Sequence, residues 1–391
     1  MSTTFFAPAS FHHITFSSTL CYSITLLTIL QQPATMQFLS VLLAALAAAG
    51  SAAAAPSFTL SNGFPNPDPQ ALASIQKQAG GSIPNTPLPT KLKADSIQTL
   101  QVIATNEIFE VAYFSSLLKN VTDNVEGYTD FAGQSREYVI ASLKAIRAQE
   151  ELHAIGANAI LSSAGAKTIG ACEYKFPVSD FKSAIVLANT FTDLVVGALQ
   201  GASKTFAVDG GQSAEGLVSL LGSIIGQEGQ QDGAYRLIQK KVPSSSPFLT
   251  AASGALAFNA VAQMFIVPDS CGPNSNVSSI GVPSFDKLSL AKGVQPSSSS
   301  TSLKFTTNTK KDLNGAHLAY ISGQNKPVVV AVKNVNKQGS STTFEASFPF
   351  EKKNFSNGLT VAALVKNNGP FADSAAVTNS TFAGPGLIVI D

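Results

Sequence analysis

The chain has 391 residues, 45% of them hydrophobic and only 13% charged, with a formal net charge of +1. That length admits two domains. No basic face or charged block is present, so neither nucleic acid nor another polyelectrolyte is expected as a partner.

No charged residue precedes Asp68. From Met36 an apolar core runs into small residues and an Ala-x-Ala pattern, which reads as a secretory signal peptide over about 36–55. Residues 1–35 read as an upstream extension, and the start codon can be either Met1 or Met36. The runs Ile24–Leu30 and Phe38–Ala48 both fall short of the roughly 20 residues a spanning helix needs, so no stable membrane insertion is expected after cleavage. The expected location is secreted, extracellular or at the cell wall. Asn120, Asn276, Asn354 and Asn379 each begin a glycosylation sequon. Cys172 and Cys271 are the cysteines left after the signal, and in an oxidising compartment they are expected to pair.

Residues 56–94 are rich in Pro, Gly, Ser and Asn and read as an irregular arm. A first helix opens near Asp95 or Ser96, with the stripe Leu100, Ile103, Glu107, Glu110, Phe114, Leu117, Val121. A second opens at Gln134 or Ser135, with the stripe Val139, Leu143, Ile146, Glu150, His153, Ala157, Ile160. These spacings of three and four describe one face of a helix. On each, acids interrupt an apolar seam at mid-length. A buried charge is costly unless it is paired or binds metal. His12 and His13 fall in the segment expected to be removed, so His153 is the histidine of the helical region. His317 falls in a candidate strand and is taken as structural.

Pro177 bars helix in the connector at 172–177. A third helix follows from about Ser179, with the stripe Phe181, Ile185, Ala188, Thr192, Val195, Leu199, Ala202, Phe206. Gly197 to Gly201 within it reads as close helix packing. A fourth runs from about Ser213 to Lys240 through Leu217, Leu221, Ile224, Glu228, Gln231, Tyr235 and Ile238. A fifth covers about Phe248 to Phe265. Four long amphipathic helices with polar residues at mid-length describe a four-helix bundle over 95–271, with the fifth helix added. Residues 272–302 read as a linker. From 303 to 391 short apolar runs alternate with turn residues, giving a small β-rich, sandwich-like region. The candidate strands are Leu303–Thr307, Ala316–Ser322, Pro327–Val332, Thr342–Phe350, Thr360–Lys366 and Gly386–Ile390. Asn357-Gly358 and Asn368-Gly369 are turn signals. No nucleophile elbow, phosphate loop, dinucleotide fingerprint or Cys/His zinc spacing is present.

Asn106-Glu-Ile-Phe-Glu-Val-Ala-Tyr-Phe114, Glu150-x-x-His153, Gly201-Ala202, Glu228 and the two cysteines bracketing helices three to five together resemble the secreted fungal ferritin-like-domain proteins of the stress-response (rds-type) and sexual-development kind. The likeness covers roughly Phe58 to the C-terminus. It implies a mainly α, ferritin-like fold, fungal origin, and expression tied to nutrient stress or fruiting. The complete ferritin-like site takes one Glu from each of two helices and Glu-x-x-His from each of the other two. Here Glu107 or Glu110 serves helix one, Glu150 and His153 serve helix two, and Glu228 serves helix four. Thr192 stands where helix three should give Glu, its neighbour Asp193 is turned about 100° away, and Gln231 stands where helix four should give His.

Three functions compete, and the first is the favoured one. The first is a non-enzymatic protein whose di-metal site is eroded and whose buried carboxylates share protons with His153. The second is a metal binder or oxidoreductase holding one Fe, Mn or Zn through Glu107 or Glu110, Glu150, His153 and Glu228, with Gln231 bonded to a bound water. The third is an adhesion or carbohydrate-contacting module using the C-terminal sheet.

Overall fold

The computed structural model describes residues 64–209, 212–273, 275–352 and 355–391. The signal segment and the extension before it, His12, His13 and the sequon residue Asn354 lie outside the described residues.

Helix α1, Pro69–Ala79, has local signals at both ends. Asp68 Oδ1 accepts from the Ala71 amide at 2.8 Å, Pro69 occupies the first turn, and Gly80 closes the helix at φ 75°. The arm expected at 56–94 is therefore helical at its centre, a correction to the reading from composition. Four long helices follow: α2, Ala94–Thr122; α3, Arg136–Ser163; α4, Phe181–Asp209; and α5, Gln212–Ile238. The side chain of Ser135 caps α3 through the Tyr138 amide. Asp180 and Ser183 exchange side-chain-to-amide bonds of 2.7 and 3.1 Å at the start of α4. Helices α2 and α3 pair as one hairpin and α4 and α5 as another, joined where α2 packs on α4, while α1 lies along α3.

The core of the helical part is aromatic. Phe109 stacks on Phe265 at 4.5 Å and meets Phe191 edge-on at 5.0 Å. Helix α4 is long and apolar enough to cross a membrane, but here it is a mostly buried core helix. The fifth helix of the sequence reading is shorter than expected, α6 at Gly254–Met264. Cys172 and Cys271 form a disulfide that ties the connector before α4 to the segment after α6.

The C-terminal region is one seven-stranded antiparallel sheet in the order β1-β2-β5-β4-β3-β6-β7. The strands are β1 Leu288–Leu290, β2 Ser302–Thr307, β3 His317–Ser322, β4 Val328–Gln338, β5 Ser341–Ser347, β6 Gly358–Val365 and β7 Thr381–Ile390. A short helix, α7 at Ser374–Ser380, precedes β7. The sheet curls until its edges meet, with Asp286 bridging Ala383. Phe305, Tyr320, Phe344 and Phe348 fill the inside of that curl. The result corrects the expected sandwich: one sheet supplies both faces of the core. It also corrects the expected linker at 272–302, because β1 pairs with β2 from within that stretch.

Every residue of β6 is buried. One face of β6 looks into the curl and the other rests on helices, where Leu194, Leu256 and Ala260 pack with Ile321, Val361 and Ala363. The sheet is thus fastened to the bundle through α4 and α6. Gly197 on α4 permits the approach: a Cβ there would lie 2.4 Å from the Thr250 carbonyl oxygen.

Candidate metal centre

The interrupted seams of α2, α3 and α5 turn toward one point inside the bundle. Glu107, Glu150, His153 and Glu228 each place a ligand atom within 4.8 Å of all the others. The three carboxylates are fully buried, and the His153 side chain is 14% exposed. Its Nδ1 lies 2.9 Å from Glu150 Oε2 and 3.4 Å from Glu107 Oε2. The i, i+3 spacing puts Glu150 and His153 on one face of α3, one above the other.

Burial raises Glu107, and the His153 contact only partly offsets it. Burial raises Glu228 well above the usual carboxylate range, and the nearby Glu107, Glu110 and Glu150 add to this. Burial alone would lower the His153 imidazole, but Glu150 and Glu107 beside it hold it well above its ordinary value. Neither oxygen of Glu228 has a hydrogen-bond donor among the described residues, and Glu107 has only the long contact with His153. Buried carboxylates in that condition need a proton or a cation.

A divalent ion fits the group. Ligands at about 2.0–2.2 Å from an ion stand roughly 3–4 Å apart; the two His153 contacts are 3.4 and 2.9 Å, and all four ligand atoms lie within 4.8 Å of one another. Three carboxylates and one imidazole suit Fe, Mn or Zn.

Glu110 is fully buried beside the four. Its Oε1 accepts from Asn106 Nδ2 at 2.8 Å, and burial with the Glu150 charge raises its pKa well above the usual value. Thr192, on α4, is fully buried and its hydroxyl has no partner among the described residues. Gln231 bonds to side chains on both sides. Its Nε2 donates to Glu150 Oε1 at 2.6 Å, and its Oε1 accepts from the Tyr235 hydroxyl at 3.1 Å. Gln231 therefore orients the Glu150 carboxylate. Gln149 was not singled out in the sequence, yet its Oε1 accepts from both Gln227 and Gln231, tying α3 to α5.

Asp193 faces away from the centre, as the helical rotation required. It pairs with Asp232 of α5, in a network with Asn189, Gln239, Arg236, Lys241 and Asp391. The clue to this second network was the i+4 series Glu228, Asp232, Arg236. Two cavities flank the centre. One, of about 680 Å³, runs from Lys93, Lys204 and Asp373 inward to Asn106 and Glu107. The other, of about 350 Å³, ends on His153. Of the remaining sequon residues, Asn379 is exposed while Asn120 and Asn276 are half-buried.

A buried carboxylate–histidine group at the centre of long paired helices defines the class: a helical bundle with a possible metal-binding group inside it. The family model for the ferritin-like domain matches residues 95–241. All four grouped residues fall inside it. No curated protein matches the chain.

Proposed function

We propose that this protein binds a single divalent transition-metal ion, Fe or Mn in the first instance, through Glu107, Glu150, His153 and Glu228. The observation that carries the reading is Glu228, fully buried with no hydrogen-bond donor among the described residues for either oxygen, within ligand distance of Glu107, Glu150 and His153. One ion is expected because the positions that complete a two-metal site hold Thr192 and Gln231. The bound ion would supply Lewis acidity and, for Fe or Mn, a redox couple. Glu150 is held in orientation by Gln231.

A second reading has its own support. Gln231 donates to Glu150 without any ion, and His153 pairs with two carboxylates. On this reading the cluster is a proton-sharing remnant in a non-enzymatic protein. Element analysis of protein purified without chelator separates the two. About one metal per chain, lost in His153→Ala, supports metal binding; metal-free protein supports the remnant.

We further infer that the protein is secreted and works outside the cell or at the cell wall. The Cys172–Cys271 disulfide supports an oxidising compartment. Control by stress or by sexual development rests on the resemblance to the fungal family alone.

A further inference from the structure

Of the four grouped residues the three carboxylates are fully buried, and only His153 keeps any exposed surface. His153 lines the 350 Å³ cavity, whose outer side is covered by Ala79 and residues 81–84, at and just past the end of α1. That cover is thinly fastened. Ile75 is the one buried residue of α1. Among the described residues, two hydrogen bonds tie α1 to the bundle, both from α3. Arg147 Nη2 donates to Gln78 Oε1 at 3.2 Å, and Gln149 Nε2 donates to the Ala79 carbonyl at 3.4 Å. The strap that follows, residues 82–92, makes no hydrogen bond among the described residues. Phe64 before α1 and Leu92 at the end of the strap are partly buried against the core, so the cover is anchored on both sides. An element with one buried apolar side chain and few bonds opens locally at far lower cost than a packed bundle unfolds.

We propose that α1 and this strap form a lid that lifts to let the metal ion in and out of the centre past His153. The inference rests on metal binding and adds its regulation. With the lid down, the cavity presents Leu152, Ile160, Leu221 and Ile224, and a hydrated divalent ion does not enter so apolar a space. With the lid up, water reaches His153 and brings the ion to it. Gln149 couples the lid to the ligands: its amide donates to Ala79 and accepts from Gln231, which in turn holds Glu150. An ion that fixes Glu150 therefore favours the closed lid, and by linkage the closed lid favours the ion. The larger cavity is the competing route, because it runs inward to Glu107. The Glu107 carboxylate is fully buried there, whereas His153 is not.

Ile75→Ser supplies the test, because Ile75 seats the lid and lies outside the residues that match the ferritin-like domain. Gln78→Ala removes one of the two ties and is the milder variant. On the full chain, amide hydrogen exchange read by mass spectrometry follows the lid. Stopped-flow mixing of chelator-treated protein with Mn²⁺, and of loaded protein with excess chelator, gives uptake and release. In the wild-type chain the α1 amides are expected to exchange faster than those of α2 to α5, and bound Mn²⁺ to slow them. Ile75→Ser is expected to speed lid exchange, uptake and release at least about tenfold each, and Gln78→Ala by about two- to fivefold. Absence of Mn²⁺ binding to the wild-type chain overturns the metal reading and the lid with it. Normal binding with unchanged rates, in an Ile75→Ser chain whose α1 exchanges faster, overturns the lid alone and sends the ion through the larger cavity. So does α1 exchange as slow as that of α2 to α5.

Discussion

Glu228 has two carboxylate oxygens inside the bundle and, among the described residues, no hydrogen-bond donor for either. Gln231, one turn on, spends its amide nitrogen on Glu150. The pair shows how a side chain that is a poor ligand still serves a site, by fixing the carboxylate next to it. Gln231→Leu is expected to weaken metal affinity roughly 10- to 100-fold, the usual cost of losing a residue that orients a ligand. Competition against a fluorescent chelator measures it, and an unchanged affinity would mean that Glu150 is oriented by other contacts. A second residue-scale expectation concerns Asp193, raised by burial to about 6. Asp232 hydrogen-bonds to it and Arg236, Lys241 and Asp391 surround it; Arg236 and Lys241 pull the other way. The folded state binds this proton more tightly than the unfolded chain. Its contribution is therefore fully present below about pH 4 and is lost as pH rises through about 6. In Asp193→Asn that loss disappears. Urea unfolding at pH 4.5 and 7 is expected to show a stability drop smaller than wild type by roughly 1–3 kcal/mol.

The four long helices were legible in the sequence because their apolar residues repeat at three and four over seven or eight positions each. Polar side chains that interrupt such seams at equal depth meet, and Glu107, Glu150, His153 and Glu228 do so. Helix α1 was missed although Asp68, Pro69 and Gly80 mark its ends, because its surroundings are dominated by turn-forming residues. Strand β1 is three residues long and carries no period. The pairing of Asp193 with Asp232 depends on how α4 is rotated against α5, which a single stripe does not reveal. Gly197 was read as a packing position and is one, though its neighbour is the segment before α6 and not a helix. Gly197→Ala is expected to destabilise the protein by roughly 1–3 kcal/mol, because the added methyl meets a backbone carbonyl that cannot rotate away. Thermal unfolding of the variant checks this, and an unchanged melting temperature would mean that α4 can shift.

At the scale of the molecule, the sheet and the bundle share a core. Leu194 and Leu256 from the helices pack on Val361 and Ala363 of β6. A curled sheet of this kind could have stood alone on its inner aromatic core, but its outer face at β3 and β6 is apolar and covered. One cooperative unfolding transition is therefore expected by calorimetry; two resolved transitions would show that the halves fold independently. The disulfide closes a loop of 99 residues between its cysteines, a constraint worth about 4–5 kcal/mol in the chain-entropy model. The most direct test of the metal reading is a calorimetric titration of chelator-treated protein with Mn²⁺ or anaerobic Fe²⁺, alongside Glu228→Gln. One ion bound per chain, with proton release and with binding abolished in the variant, is the expected result. Two ions per chain, or none, would contradict it.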